Sequence, residues 1–499
     1  MNNTSNFSEF SRQSPKGILV IYFALLFKTL KLTWVLIFIF IRRITQIPAD
    51  KIIYFYLFIA AVLIFLFVRA YLVYRAFQFK IENKYFILQQ GILKKTDTAI
   101  PFDRIQNINF KQNIIQQLIN VYQVSLETAG SNTTEIDIKA LSYEDAQLLK
   151  EQMSLHKKDN EEAVKLNEDT PLLTINFKEL LKVSVTENHL QSLLIFTALL
   201  FGIFQQVRDA FDGFGKNEEF DKYLEVDSNA LFSNLIVLLF IVILLISVGF
   251  ISSFVRVLLF HFNLSVFIKN ESFEINQGLL TKKSIILKKE KVQNITISTN
   301  PIKKLLGISF VVFKQAVSGK VNQKQNKQIK IVGCESHQIE IIKNLLFDYK
   351  TVEASEKHKP DSYYKVRMYF RSFIGLLFIN IIGYSLLLTL YWFFINLLLI
   401  PLSLYLIHLK YKKQYYKIDD DLLLIRSGRI ETHSTYLPLF KVQNIKMRQT
   451  VFQQRKNIMD IVFQTASGKI RIPCLKAEEA YRIYNYTLFK VQTSTNPWM

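Results

Sequence analysis
Few side chains in this 499-residue chain are spaced for chemistry. The seven histidines (His156, His189, His261, His337, His358, His408, His433) are scattered, and none stands in a His-x-x-x-His or Glu-x-x-His pair that would aim two metal ligands from one helix face. No Gly-rich phosphate loop or Gly-x-Ser-x-Gly elbow occurs. Cys334 and Cys474 fall in different repeats, so two incidental core thiols in a reducing compartment are expected. Asp419-Asp420-Asp421 has the hard carboxylates that a divalent cation prefers. The corresponding turns elsewhere read Glu82-Asn83 and Lys269-Asn270, so a solvated turn is the expectation. The sequence therefore predicts no enzyme, no cofactor, no metal site and no small-molecule substrate.

The stronger signal is a stretch written three times. Gly91, Gln106-Asn107 and Ala129 recur as Gly278, Gln293-Asn294 and Ala316, and again as Gly428, Gln443-Asn444 and Ala466. Glycine to glutamine is 15 positions and glutamine to alanine 23 in every copy. Ten residues before each glycine an isoleucine (Ile81, Ile268, Ile418) enters a polar turn, and after each alanine comes Ile-x-Ile (Ile136 and Ile138, Ile329 and Ile331, Ile470 and Ile472). Period-two alternation with glycine and polar punctuation predicts short antiparallel strands. Each copy then closes on a helical pattern, Ser142 to Met153 with Ser142 and Asp145 as a capping box, Ser336 to Phe347, and Lys476 to Phe489. The glycine and alanine read as turn and close-packing positions, and the Gln-Asn pair as a partner for neighbouring backbone groups.

The hydrophobic strand, the glycine, the polar run, the apolar-Pro step (Ile100-Pro101, Leu437-Pro438), the Ile/Val-Gln-Asn and the Thr-Ala-Gly or Thr-Ala-Ser turn together resemble the bacterial pleckstrin-homology (PH) domain of YdbS/YdbT-like membrane proteins. The resemblance covers all three copies. The second departs most, with Leu287-Lys288 for apolar-Pro, Gln315-Ala316-Val317 at the turn and a longer loop from Ser318 to Gln328. It implies an α+β membrane protein: three repeats of a transmembrane helical hairpin followed by a PH-like antiparallel β domain with a C-terminal helix.

Composition agrees, with 50% hydrophobic and 14% aromatic residues, too apolar for a disordered chain. The expected divisions are an N-terminal segment and first hairpin over 1–78, PH-like domains over 79–155, 261–348 and 410–499, and linkers with the second and third hairpins over 156–260 and 349–409. Gly17 to Ile41 is long enough to span, but Lys28 and Lys31 interrupt it, each costing roughly 2.5 to 3.5 kcal/mol near a bilayer midplane. That leaves two readings, a span or an interfacial segment over Ile18 to Leu30. Ile52 to Val73, Leu190 to Val207, Leu231 to Phe260 and two spans within Ser372 to Leu409 complete the hairpins. An acidic stretch over 205–229 lies between basic flanks, which predicts the β domains and the N-terminus on the cytoplasmic side; the resemblance implies that the membrane is a bacterial inner membrane.

The formal charge of +21 is unevenly held. The first copy carries 8 Lys/Arg against 9 Asp/Glu, the second 14 against 5 and the third 16 against 7. Lys282, Lys283, Lys288, Lys289, Lys291, Lys303 and Lys304 in the second, and Lys441, Lys446, Arg448, Arg455 and Lys456 in the third, form a candidate lipid or partner surface. Membrane tethering and the lack of a recognised motif argue against nucleic acid. The expected role is a non-enzymatic membrane protein that scaffolds partners or self-assembles through its PH-like domains. The alternative is an anionic-lipid or envelope-state sensor. A transporter fits less well, because the repeats run in the same sense and the spans hold little charge.

Overall fold
A computed structural model describes residues 7–43, 49–128, 135–155, 170–213, 235–269, 272–315, 328–347, 349–387 and 390–495. The first unit runs β1 (Ser11–Arg12), α1 (Gly17–Arg43), α2 (Ala49–Ala76), β2 (Gln78–Glu82), β3 (Tyr85–Gln90), β4 (Thr96–Pro101), β5 (Ile105–Gln112), β6 (Tyr122–Thr128), β7 (Glu135–Leu141) and α3 (Tyr143–Leu155). The second runs β8 (Leu173–Thr174), α4 (Phe177–Thr186), α5 (His189–Gly213), α6 (Leu235–His261), β9 (Ser265–Lys269), β10 (Ser272–Gln277), β11 (Lys282–Lys288), β12 (Val292–Thr299), β13 (Ile308–Gln315), β14 (Gln328–Glu335) and α7 (Ser336–Leu346). After α8 (Tyr349–Ala354), the third comprises α9 (Tyr363–Leu387), α10 (Asn396–Lys413), β15 (Tyr415–Ile418), β16 (Leu422–Gly428), β17 (Thr432–Pro438), β18 (Val442–Arg448), β19 (Ile458–Thr465), β20 (Gly468–Lys476) and α11 (Ala477–Thr493).

Among the described residues five helical stretches are long and apolar enough to cross a membrane: Ile52–Ala76, Gln191–Asp209, Ile243–His261, Tyr363–Ser385 and Trp392–Lys413. They face outward with bare apolar side chains such as Phe58, Phe201, Ile246 and Phe378, as spans in contact with lipid do. α1 is one unbroken helix of 27 residues with no break at Lys28 or Lys31, and is not among the five. It packs on α2, with the Tyr22 and Phe67 rings 5.8 Å apart, so the first unit too has a helical pair. The second unit does separate its preamble: α4 is a short amphipathic helix that buries Leu180 and Val183 and ends before α5. The acidic stretch falls mostly outside the described residues, as do the linker from 156 to 169, Ala129 and Ala316.

Each β domain is two three-stranded antiparallel meanders joined at a corner by one 3-10 turn. The fully buried Phe79, Phe86, Phe273, Phe310, Phe313 and Phe463 fill the three interiors, and each contributes roughly 1.5 to 3 kcal/mol relative to exposure. Ser142 Oγ accepts the Asp145 N–H (3.0 Å) and donates to the Asp145 carboxylate (2.7 Å), which starts α3.

The domains do not stand apart. Strand β11 of the second pairs with β5 of the first, and β17 of the third pairs with β12 of the second. This produces a seven-stranded sheet, β7-β6-β5-β11-β10-β9-β8, and a six-stranded one, β14-β13-β12-β17-β16-β15. The first sheet of the first domain (β1-β2-β3-β4) and the second sheet of the third (β18-β19-β20) remain separate. Leu422, Leu424 and Tyr436 of the third domain extend the core of the second.

Candidate functional site
The recurring glycines explain themselves locally. Gly91, Gly278 and Gly428 have φ of +113°, +112° and +131°, and a Cβ at any of them would overlap the carbonyl oxygen of Lys94, Thr281 or Glu431. Only glycine makes that turn. Gln106, Gln293 and Gln443 are each the extra residue of a β-bulge, between Ile105 and Asn107, Val292 and Asn294, and Val442 and Asn444. Ala466 lies in the hairpin turn between β19 and β20.

The Gln-Asn pair meets different surroundings in two copies. Gln293 and Asn294 are fully buried, and Asn294 Nδ2 donates to Ser467 Oγ of the third domain at 2.8 Å. Gln443 and Asn444 are exposed. The side chains of Gln106 and Asn107 lie outside the described set. The difference is position: β12 is covered by β17, whereas β18 has a strand on one side alone among the described residues.

Several predicted basic residues sit in the seams. Lys282 and Lys283 pair with Gln112 and Lys111 along the β11–β5 ladder. Lys303 is 2% exposed, its Nζ is 2.6 Å from Glu431 Oε1 of the third domain, and it lies over the Phe310 ring. Burial pulls the Lys303 ammonium below its usual range while Glu431 restores part of the difference. Lys441 is buried and donates to Glu290 O at 2.6 Å, and burial together with neighbouring Lys291 brings its ammonium down to about 8. Lys288, Lys289 and Lys291 are half-buried near the same corner. Lys304, Lys446, Arg448, Arg455 and Lys456 are exposed, so the structure does not gather the twelve into one face.

More bonds cross the second seam. Ser298 Oγ lies 2.8 Å from His433 Nδ1, Thr296 Oγ1 lies 3.0 Å from Thr435 Oγ1, and Tyr436 Oη donates to Glu353 Oε1 at 2.5 Å. At the first seam Gln117 Nε2 donates to the Leu279 and Leu280 carbonyls (3.3 and 3.1 Å). A cleft of about 670 Å³ opens beside it, lined by Tyr122, Tyr143 and Glu274 among others.

Among the described residues catalytic groups do not converge. Burial raises the Cys334 and Cys474 thiols to about 12 and about 11, far from a thiolate at neutral pH. Among the described residues no three His, Cys, Asp or Glu side chains gather as metal ligands. Asp420 and Asp421 instead accept from Tyr486 (3.1 Å) and Lys490 (3.2 Å) of α11.

One cluster escaped the sequence reading. Arg367, Arg371, Lys410, Arg429 and Arg471 line a pocket of about 360 Å³ where α9 and α10 meet the third domain. The basic ends of the spans were legible, but nothing in the spacing joins them to Arg429 and Arg471.

These features, a helical pair feeding each two-meander domain with its bulge and glycine turn, define the class. The family model described as Bacterial PH domain matches residues 27–157, 223–348 and 375–488, and the chain belongs to that family as a multi-pass membrane protein with three PH repeats. It is similar to the UPF0699 transmembrane protein YdbT of Bacillus subtilis (strain 168), with 24% identity over 410 residues covering 78% of this chain and 79% of the relative.

Proposed function
We propose that the protein is a non-enzymatic membrane scaffold that holds its PH domains at the cytoplasmic face and self-assembles head to tail through strands β4 and β18. The orientation is supported by basic residues at the domain-side ends of the spans: Arg69 and Arg75, Arg256, Arg367 and Arg371, and Lys410, Lys412 and Lys413.

Assembly is supported by one observation: both seams use the same register. Lys282 pairs with Gln112 and Thr432 with Thr299, in each case the fourth residue after the repeat glycine opposite the sixth after the repeat glutamine. Ile285 with Asn109 and Thr435 with Thr296 repeat the match three residues on. The first domain keeps the glycine-side strand, β4, without an outer partner among the described residues, and the third keeps the glutamine-side strand, β18. Of the other outer edges, those of β7, β14, β15 and β20 are met within their own units, and β1 and β8 are only two residues long. Ser14 N donates to Ala140 O (2.9 Å) at β7, Asp361 N donates to Cys474 O (2.7 Å) at β20, and Ile175 and Val183 pack against Gly333 at β14.

A free edge is a template for another strand. Carried to a second copy, the shared register sets Thr96 opposite Arg448, Asp97 opposite Met447, Thr98 opposite Lys446 and Ala99 opposite Ile445. Such a contact is heterologous, so it closes into rings or propagates as rows. The test is mass photometry of the full chain in mild detergent. Thr96→Lys with Thr98→Lys places like charges opposite Arg448 and Lys446 and weakens association by roughly tenfold, while Thr96→Glu with Thr98→Glu strengthens it. Equal monomer fractions in all three proteins would refute the reading.

A second reading, engagement of anionic lipid, is favoured by the exposed Lys446, Arg448, Arg455 and Lys456. It predicts liposome binding that falls steeply with salt.

A further inference from the structure
The pocket at the third hairpin holds more positive charge than its surroundings neutralise. Arg367 and Arg371, four residues apart, share a face of α9; Lys410 comes from the last turn of α10, Arg429 from the β16–β17 turn and Arg471 from β20. Behind them stands one carboxylate, Asp460. It accepts from Arg367 Nη1 (2.9 Å to Oδ2), from Arg471, from the Cys474 N–H (2.7 Å) and from Gln453 Nε2 (3.1 Å). Asp460 therefore orients two guanidinium groups and has little capacity left. Arg367 Nε is buried and meets no acceptor. Among the described residues no acid pairs with Arg371, Lys410 or Arg429.

The second unit shows what a neutralised junction looks like. There Arg256 and Lys330 share Glu187, at 3.3 and 2.5 Å. Burial opposes ionisation of Glu187, but Lys330 and Arg256 together hold its carboxyl below the usual range.

Two further observations bear on which anion would suit this charge. A second cavity of about 220 Å³ between α9 and α10 shares Arg371, Lys410 and Arg429 and is otherwise lined by Met368, Leu406 and Ile407 with the hydroxyls of Ser372 and Ser403, so apolar side chains adjoin the cationic groups. The turn bearing Arg429 is tied to the end of the span, because Lys413 Nζ donates to the Arg429 and Ile430 carbonyls (2.7 and 2.8 Å), and Ile430 is left bare beside it. A bilayer covering the apolar span would bring its headgroups to this level. Guanidinium forks suit phosphate oxygens, and an apolar continuation suits an acyl chain.

We propose that this pocket binds the phosphate of an anionic phospholipid, with the acyl portion lying along the α9–α10 cleft. The site is separate from β4 and β18, so it stands or falls independently of head-to-tail assembly.

The test uses the full chain in detergent, titrated with phosphatidylglycerol, phosphatidylcholine and soluble glycerol phosphate, with retained lipid read by native mass spectrometry and affinity by thermal shift. Phosphatidylglycerol is expected to bind most tightly. Arg371→Gln, Lys410→Gln and Arg429→Gln together lower its affinity by roughly 100-fold, and Arg429→Gln alone, on an exposed turn that does not shape the core, by roughly fivefold. Lys350→Gln, at an exposed position of α8, leaves it unchanged, and Arg429→Lys retains most of it. Undiminished binding in both Gln variants overturns the site. Glycerol phosphate binding as tightly as phosphatidylglycerol overturns the lipid source in favour of a soluble phosphate anion.

Discussion

Strands β12 and β18 carry the same Val-Gln-Asn-Ile, bulge at the same glutamine and pair with their own next strand in the same register, yet one is sealed and the other bare. In β12 six of eight side chains are buried, because β17 lies along its outer edge. In β18 two of seven are. The contrast teaches that the motif serves the domain and the seam separately. The bulge and glycine turn shape every copy, whereas burial of the Gln-Asn pair depends on whether another domain arrives. Among the described residues β18 and β4 have no outer strand, which is why the proposed assembly pairs them in the register of the two existing seams.

The largest effect comes from breaking the occupied seam at its buried charge. Glu431→Gln leaves the Lys303 ammonium, 2% exposed, without its carboxylate, and is expected to cost about 2 to 3 kcal/mol. Hydrogen exchange would show it as faster opening of β12 and β17 than of β2 and β3. An unchanged β12–β17 protection would mean that the strand ladder alone holds the domains together.

A smaller effect separates the two copies of the motif. Asn294→Ala removes the donor to Ser467 inside the seam and is expected to cost about 1 to 2 kcal/mol in chemical denaturation. Asn444→Ala, at the exposed equivalent, should stay within about 0.5 kcal/mol for the monomer. Equal costs would show that the asparagine acts within the domain only.

How much of this was legible in sequence follows from what spacing can encode. Two constant intervals revealed three domains, and alternation with polar turns gave their strands, because period and punctuation are local. The helical pairs followed from apolar length. The seams were invisible: Ile295 to Thr299 alternates like any half-buried strand, Thr432 to Tyr436 is mostly polar like an exposed one, and nothing local says whether the outer edge meets water or a neighbour. The same limit hid the cationic pocket, whose members stretch from Arg367 to Arg471 and read singly as span flanks or surface charges. It also merged into one candidate surface lysines that the fold sends to opposite fates, Lys303 and Lys441 into seams and Lys446 and Lys456 into solvent.

The smallest predicted effect is on pH. His433 Nδ1 faces Ser298 across the second seam; burial lowers its imidazolium pKa, with Lys303 and Lys314 adding to that and Glu431 opposing. The folded state therefore favours the neutral ring. Its contribution to the seam is full above the ordinary histidine pKa of about 6.5 and is lost as pH falls below that value toward the lowered folded one. Seam protection should weaken between neutral and mildly acidic pH, and His433→Gln should flatten that dependence. A slope unchanged by the substitution would assign the titration to another group.

The central claim, that β4 of one copy completes β18 of another, is tested most directly by disulfide trapping in native membranes. Thr98→Cys with Lys446→Cys in the full chain, with Cys334 and Cys474 left in place because both are buried, sets two sulfurs opposite each other in the register of the existing seams. Oxidation is predicted to give a ladder of dimers and higher species, and shifting one partner to Thr96→Cys should abolish it. Monomers alone, or equal cross-linking in the shifted register, would contradict the account.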